Sequence, residues 1–320
     1  MRSGARILAV RLGAMGDVIH TLPAVASLKH GIPGSSVTWA IEEKWAPLLE
    51  GNPYVDRVVG INRRTLAGIG QAWRDLRAQR FDLAVDFQGL IKSSLAAAVA
   101  RPERILGFHH TRERVAAWFY SSRVRAVAVH VVDRNLELAA AAGVPNLLRV
   151  FPLPAGEAEG ELPEGPFVLC SPLAGWGAKQ WPLENYGRLG EILEREFDAT
   201  LVADGPRDLR LAHTAAHVST LRGLIYATRR AVAVVGLDSG PMHLAAALGK
   251  PGVAIFGPTD PARNGPYGGT MSVLRSETAA TTYKRGTNEG EEMRAITPEM
   301  VARALRPHLV AAKAGAPGWP

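Results

Sequence analysis

Val234-Val235-Gly236-Leu237-Asp238-Ser239-Gly240-Pro241-Met242-His243-Leu244-Ala245-Ala246-Ala247-Leu248-Gly249-Lys250-Pro251 is an apolar run that breaks at Gly236 and restarts with helical spacing after Gly240. It reads as strand, tight loop and helix. Asp238 or Ser239 is placed to cap the helix, Gly240 lets the backbone approach a ligand, and Pro241 suits a first helical position. Free amides at the positive end of that helix then face the loop, which is a place to hold phosphate. The following segment, Gly252-Val253-Ala254-Ile255-Phe256-Gly257-Pro258-Thr259-Asp260-Pro261, repeats strand and Gly/Pro turn, as adjacent parallel strands ending at one carboxyl edge do.

The start of the chain has the same grammar. Arg6-Ile7-Leu8-Ala9-Val10-Arg11-Leu12 is a compact apolar run that ends in Gly13-Ala14-Met15-Gly16-Asp17, after which Val18, Ile19, Leu22, Val25, Ala26 and Leu28 make a helical stripe. Asp17 stands where loop becomes helix, so an N-cap is its ordinary role. The glycines form Gly-x-x-Gly, not the six-residue dinucleotide fingerprint, and the next strand, read as Val37 to Ile41, has no acidic residue closing it as a ribose ligand. A nicotinamide cofactor and a hydride-transfer enzyme are therefore disfavoured. Trp45 to Leu49 reads as helix, Val55 to Ile61 as strand, Leu66 to Arg80 as helix and Phe81 to Phe87 as strand, the alternation of a wound α/β sheet. His109 and His110 are adjacent and not three or four apart on a helix, which argues against a metal pair. Arg63, Arg64, Arg112 and Arg114 are candidates for carboxylate or phosphate recognition.

Residues 143 to 166 hold five prolines and an acidic run from Gly156 to Glu164 without any regular period, and read as a linker. The division expected is 1–155 and 156–320. After it, strand Phe167-Val168-Leu169-Cys170 leads to Ser171-Pro172-Leu173-Ala174-Gly175-Trp176-Gly177-Ala178-Lys179-Gln180-Trp181-Pro182 and a helix from Leu183 to Phe197. A strand at Ala199 to Ala203 enters Asp204-Gly205-Pro206, a helix is expected through Val218, and Arg222 lies in the opening of the next one. Thr281 to Glu292 reads as a mobile loop, and Thr297-Pro298-Glu299 as the start of a final helix.

With 320 residues, 47% hydrophobic and 21% charged, the chain can bury two α/β cores. No apolar run approaches the roughly 20 residues of a membrane span, and no secretory signal is evident, so a cytoplasmic location is expected. A single cysteine, Cys170, excludes an internal disulfide and a zinc cluster of thiolates. The net charge of +7 is uneven: residues 1–150 carry 20 Lys/Arg against 12 Asp/Glu, residues 151–320 carry 17 against 18. An anionic partner of the first half is implied, with nucleic acid, acidic lipid and phosphorylated substrate all qualifying on charge alone.

Four ordered motifs choose among them. Gly13-Ala14-Met15-Gly16-Asp17-Val18-Ile19-His20-Thr21-Leu22-Pro23-Ala24, Gln88-Gly89-Leu90-Ile91-Lys92-Ser93-Ser94, the Lys-x-Trp-Pro of Lys179 to Pro182, and Asp238-Ser239-Gly240-Pro241-x-His243 through Pro261 resemble the lipopolysaccharide heptosyltransferases, glycosyltransferase family nine. The resemblance spans nearly the whole chain. It implies the GT-B fold, two Rossmann-like domains facing across a cleft, with the final helix packing back toward the first. It implies inverting transfer of heptose from ADP-L-glycero-D-manno-heptose to a Kdo-lipid A inner-core acceptor at the inner face of the inner membrane, with no cofactor, metal, nucleic acid or protein partner. Asp17 would be the catalytic base and Lys179 would hold the donor phosphate. Trp181, Asp238, Ser239, Gly240, Pro241, His243 and Arg222 would line the donor site. Gly13, Gly16, Arg63, Lys92, Arg112 and Arg114 would meet the acceptor. Arg222 departs from the family pattern, where an acidic residue meets the nucleotide ribose. A related transferase using another nucleotide sugar, and a non-catalytic binder of nucleotide sugar or anionic lipid, are the alternatives.

Overall fold

Both halves of the chain wind a six-stranded sheet in which every pairing is parallel. A computed structural model describes residues 3–283 and 290–315. They fall into two units, Met1–Pro154 and Ala155–Pro320. The first runs β1 (Arg6–Val10), α1 (Met15–Ile19), α2 (Leu22–Gly31), β2 (Ser36–Glu42), β3 (Arg57–Ile61), α3 (Leu66–Arg77), β4 (Leu83–Asp86), α4 (Ile91–Val99), β5 (Arg104–Phe108), β6 (Ser122–Val124) and α5 (Val131–Ala141), with 3-10 helices at Glu43–Leu49 and Arg114–Phe119. The second runs β7 (Phe167–Cys170), a 3-10 turn Gly177–Lys179, α6 (Leu183–Phe197), β8 (Thr200–Asp204), β9 (Ala215–His217), α7 (Leu221–Arg230), β10 (Ala233–Leu237) and α8 (Gly240–Ala247). It closes with β11 (Gly252–Phe256), α9 (Pro261–Asn264), β12 (Met271–Arg275), α10 (Glu291–Arg294) and α11 (Pro298–Gly315).

The strand orders are β3-β2-β1-β4-β5-β6 and β12-β11-β10-β7-β8-β9. Counted from its own first strand, the second sheet has the order of the first read from the opposite edge. In both, the winding reverses between the first strand and the fourth, at β1/β4 and at β7/β10. A crevice opens outside the carboxyl ends at such a point, and open α/β sheets bind ligands there. The central strands can sit this deep because they are apolar on both faces: every residue of β10 and β11 is buried. Gly236 belongs to that packing, since a Cβ on it would lie 2.6 Å from the Met242 Cβ of α8.

In the second unit the core joins Trp181, Tyr186, Leu189 and Leu193 to Ile255 and to Val301, Leu305 and Leu309 of α11, so α11 lies against α6 and the sheet of its own unit. Cys170 is buried in β7, where desolvation pushes its thiol up. Among the described residues, no helix is long and apolar enough to cross a membrane.

Three expectations change. The helix expected between Pro206 and Val218 is a set of turns followed by the edge strand β9. Gly187 and Gly190 on α6 bring the backbone at Ala212 and His213 close to the helix, and parallel pairing of Ala215 with Val202 outweighs local helix preference. The segment read as a linker is held on both sides. Leu148 N donates to Ser27 Oγ (2.8 Å) in the first unit, whereas the Glu159 carboxylate accepts from Thr220 N (2.7 Å) and Thr220 Oγ1 (2.8 Å) in the second. His217 lies between Asp204 Oδ1 (3.0 Å from Nδ1) and the Glu159 carbonyl (2.9 Å from Nε2), and both are acceptors. Burial opposes the imidazolium, but these two partners outweigh it and raise the His217 pKa. An irregular segment satisfies its polar groups through neighbouring side chains, a pattern that leaves no period in sequence. Of the loop expected at Thr281 to Glu292, residues 284–289 lie outside the described residues, and Glu291 and Glu292 are helical in α10.

Candidate active site

In the first unit the end of β1 ties its two neighbours together. Leu12 N donates to Gln88 Oε1 (2.9 Å) after β4, and Leu12 O accepts from Glu42 N (3.0 Å) at the end of β2. Gly13 then passes against the Trp45 indole, where a Cβ would lie 2.7 Å from Nε1, so a side chain there would collide with the ring. Gly16 is buried in α1. Asp17 is not the N-cap: that position is Ala14, whose amide donates to Asp17 Oδ2 (3.3 Å). The other oxygen, Oδ1, is 2.5 Å from Arg11 Nη2. Arg11 itself is buried and donates through Nη1 to the Phe87 carbonyl, so its head is fixed from behind by the turn that follows β4. The Asp17 carboxylate thus stands at the switch point on a rigid cation.

Arg112 reaches the same carboxylate, with Nη1 4.0 Å from Oδ2. Arg63 and Lys92 gather elsewhere on the edge, on Glu42: Arg63 bonds Oε1, and Lys92 Nζ is 3.4 Å from it. Burial works against the Glu42 charge, but Arg63 and Lys92 outweigh it and hold the carboxyl below its ordinary value. Glu42 also corrects the sequence reading, which denied this strand an acidic end, because β2 runs one residue further than expected. With Glu43, Lys44, Asn62 and Arg64 it lines a cavity of ≈ 260 Å³. Arg114 stands apart, exposed at the start of its 3-10 helix.

Beneath these loops lies a network the sequence did not disclose. Asp86 is fully buried and accepts from Tyr120 Oη (2.7 Å), Ser93 Oγ (2.9 Å) and Gln88 N (2.9 Å). Desolvation raises its pKa despite these bonds. It pins the Gln88 turn and the start of α4 in one geometry.

The second switch point is built differently. Asp238, at the end of β10, receives Lys179 Nζ at 2.5 Å and Thr259 Oγ1 at 2.6 Å, and both bonds reach Oδ2. His243 Nε2 stands 3.6 Å from Oδ1, an electrostatic neighbour beyond hydrogen-bond reach. Burial opposes the charge, yet His243 and Lys179 outweigh it and hold the carboxyl well below the usual carboxylate range. Lys179 also lies over the Trp176 ring, 4.3 Å from its centroid. Lys179 Nζ also donates to the Asp238 carbonyl (3.4 Å), so of the ammonium's three donors one is left for a ligand.

Ser239 is the N-cap of α8 by backbone, but its hydroxyl makes no capping bond, and Ser239 Oγ is buried with no hydrogen-bond partner among the described residues. Gly240 begins the helix and Pro241 is its second residue, one place later than expected. Trp181 is not in the site. It is fully buried, edge-on to Tyr186, with its indole N–H on the Ile296 carbonyl (2.8 Å), and anchors the loop from the core. Gln180 shapes that loop by accepting from Ala174 N (2.9 Å). Arg222 is the second residue of α7, with Nε 3.3 Å from Glu157 Oε1. Thr259, quoted in the motif without a role, and Arg11 are the residues that sequence reasoning missed. Their signals were a threonine closing the Phe-Gly-Pro-Thr turn and an arginine inside the apolar run Arg6 to Leu12.

Two parallel sheets of the same order, with a carboxylate at one switch point and a cation beside a helix start at the other, define a GT-B glycosyltransferase. The chain belongs to glycosyltransferase family 9 (heptosyltransferase), whose profile matches residues 69–293. It is 31% identical over 299 residues to lipopolysaccharide heptosyltransferase 1 of Pseudomonas aeruginosa, a match covering 85% of this chain and 84% of that protein. It is 30% identical over 335 residues to lipopolysaccharide heptosyltransferase 1 of Escherichia coli O18:K1:H7, covering 91% of this chain and 99% of that one. The solved structure of E. coli heptosyltransferase WaaC with ADP is 25% identical, with a TM-score of 0.75, covering 95% of this chain and 99% of that chain.

Proposed function

We propose that this heptosyltransferase moves heptose from ADP-L-glycero-D-manno-heptose to a Kdo-lipid A acceptor, working at the inner face of the inner membrane without a metal. The observation that carries the reading is the pairing of switch points: an accessible, oriented carboxylate at one and a lysine with an unpartnered hydroxyl at the other. An acceptor hydroxyl attacks the anomeric carbon, the bond to the diphosphate breaks with inversion, and Asp17 takes the hydroxyl proton. Negative charge grows on the departing diphosphate. Lys179, the Ser239 hydroxyl and the first amides of α8 are donors suited to it, and in a water-poor site such donors act strongly because they need no reorganisation. Arg63, Lys92 and Arg112 give the first unit cations for an acidic acceptor.

The two relatives support the sugar and the pathway, since both are named for lipopolysaccharide heptose transfer. The test is transfer to Kdo-lipid A from ADP-, UDP-, GDP- and dTDP-sugars by purified protein. Transfer from ADP-heptose alone is expected. Efficient use of another donor, or tight ADP-heptose binding with no turnover, would replace this reading by one of its alternatives.

A further inference from the structure

Three elements of the first unit carry their apolar side chains on the wrong side for a soluble surface. Strands β3, β4, β5 and β6 succeed one another across the sheet in one direction, so the right-handed connections between them place α3, α4 and the Arg114–Phe119 helix on the same face. α3 packs beside α4, and α4 beside the 3-10 helix. α3 buries Ala72 and Leu76 and presents Leu66, Ile69 and Trp73 to solvent, at helical spacings of three and four. α4 buries Ser93, Ser94, Ala96 and Ala97 and presents Ile91 and Leu95. The 3-10 helix buries Ala116 and Ala117 and presents Trp118. Leu66 is 88% exposed and Trp118 77%. Scattered single exposures are ordinary, but apolar stripes on two adjacent helices with an exposed tryptophan on the element beside them are not.

The basic excess lies in the same segment of the chain. Residues 57–125, which hold these elements, carry 13 Lys/Arg against 5 Asp/Glu, and two of the five, Asp82 and Asp86, are buried. The rest of residues 1–150 carries 7 against 7, so the whole basic excess of the first half sits in this segment. Arg64, Arg74, Arg80, Arg101 and Arg104 are exposed on it. The Arg77 guanidinium lies over the exposed Trp73 ring, 4.2 Å from its centroid, so a cation is stacked on the apolar stripe.

We propose that this face docks the enzyme on an anionic lipid bilayer, with Leu66, Ile69, Trp73, Ile91, Leu95 and Trp118 entering the interfacial region and the arginines meeting lipid phosphates. Aromatic and aliphatic groups framed by arginine suit a surface that is apolar within and negative at its rim. The face also leads to the chemistry: Ile91 N donates to Glu113 Oε2 (2.6 Å), and Arg112, next in the chain, reaches toward Asp17. A lipid-anchored acceptor would be met beside the carboxylate. The proposal deepens the functional reading above and rests on its membrane-borne acceptor.

The test uses the full chain and the double variant Leu66→Glu/Trp118→Glu, at two positions open enough to leave the fold alone. Co-sedimentation is measured with phosphatidylcholine vesicles with and without about one-third phosphatidylglycerol, beside transfer to acceptor in vesicles and to a deacylated, water-soluble acceptor. The wild type is expected to bind only the anionic vesicles and to release with added salt, as screened charges do. The variant is expected to bind at least tenfold more weakly and to lose vesicle-borne transfer while keeping soluble transfer. Equal vesicle binding by the two proteins would overturn the docking face, as would a wild-type dimer that the variant converts to monomer. Absence of transfer to both acceptors by a wild type that still binds vesicles would overturn the functional reading and leave the docking face standing.

Discussion

Asp17 and Asp238 sit at corresponding switch points of two like sheets, yet their surroundings oppose each other. The Asp17 side chain is 24% exposed, with the buried Arg11 on Oδ1 and the Ala14 amide and the exposed Arg112, 4.0 Å away, at Oδ2, whereas Asp238 is 5% exposed and spends both bonds of Oδ2 on Lys179 and Thr259. The first arrangement orients a carboxylate and leaves its front open to a proton. The second makes a carboxylate a fixed anion whose work is to place an ammonium. What is packed behind it suits one residue type to the proposed base in one unit and to a scaffold in the other.

The largest expected effect breaks that contrast at its first member. Asp17→Asn keeps the bond from Ala14 and the shape of α1 but removes the proton acceptor, and should lower transfer by about 10²- to 10⁴-fold with folding and donor binding intact. Steady-state rates and ADP titration decide it. Retained activity would return Asp17 to a helix-end role and make Asp238 the candidate base, despite its burial.

Lys179→Ala comes next. Losing a charge-assisted contact to the diphosphate should weaken use of the donor by roughly 1.5 to 3 kcal/mol, read from kcat/KM for ADP-heptose. An unchanged kcat/KM would mean that the lysine serves Asp238 alone. Arg11→Lys tests orientation without removing charge. A point charge cannot grip Asp17 and the Phe87 carbonyl as the guanidinium does, so transfer should fall about tenfold with donor affinity unmoved. A matching fall in donor affinity would show that Arg11 acts on the fold and not on the base.

The smallest effect concerns stability. The folded protein keeps Asp238 ionised where the unfolded chain has already taken up its proton, near the ordinary pKa of about 3.9. Its contribution is complete above that pH and is lost as the pH falls further, because the unfolded state then binds more protons. Denaturant unfolding between pH 6 and pH 3 should therefore weaken less steeply on acidification in Asp238→Asn than in the wild type. Parallel curves would place the acid sensitivity elsewhere, on Glu42 and Asp56, whose carboxyls are also held low.

Much of this was legible in the chain itself. Apolar runs broken by Gly13 to Gly16 and by Gly236 to Gly240 specify strand, loop and helix locally, since the period of the pattern and the breaking power of glycine are properties of neighbours in sequence. The alternation of elements then restricts the fold to wound parallel sheets. Asp238 and Ser239 follow β10 and Asp17 lies in the first turn of α1, the loop-to-helix junctions that this rule marks, whereas Lys179, in a 3-10 turn, is marked by the family resemblance alone. What the sequence could not carry was partnership over distance. Trp181 beside Lys179 looks like a site residue until the core closes around it, and Arg11 looks like a misplaced charge until Asp17 and Phe87 meet it across the loop. The strand at Ala215 to His217 overrode its helical pattern only because β8 and two glycines of α6 were there to receive it. Periodicity is written by adjacent residues and can be read from them. Burial and charge pairing are decided by residues dozens of positions apart, and only the folded chain brings those together.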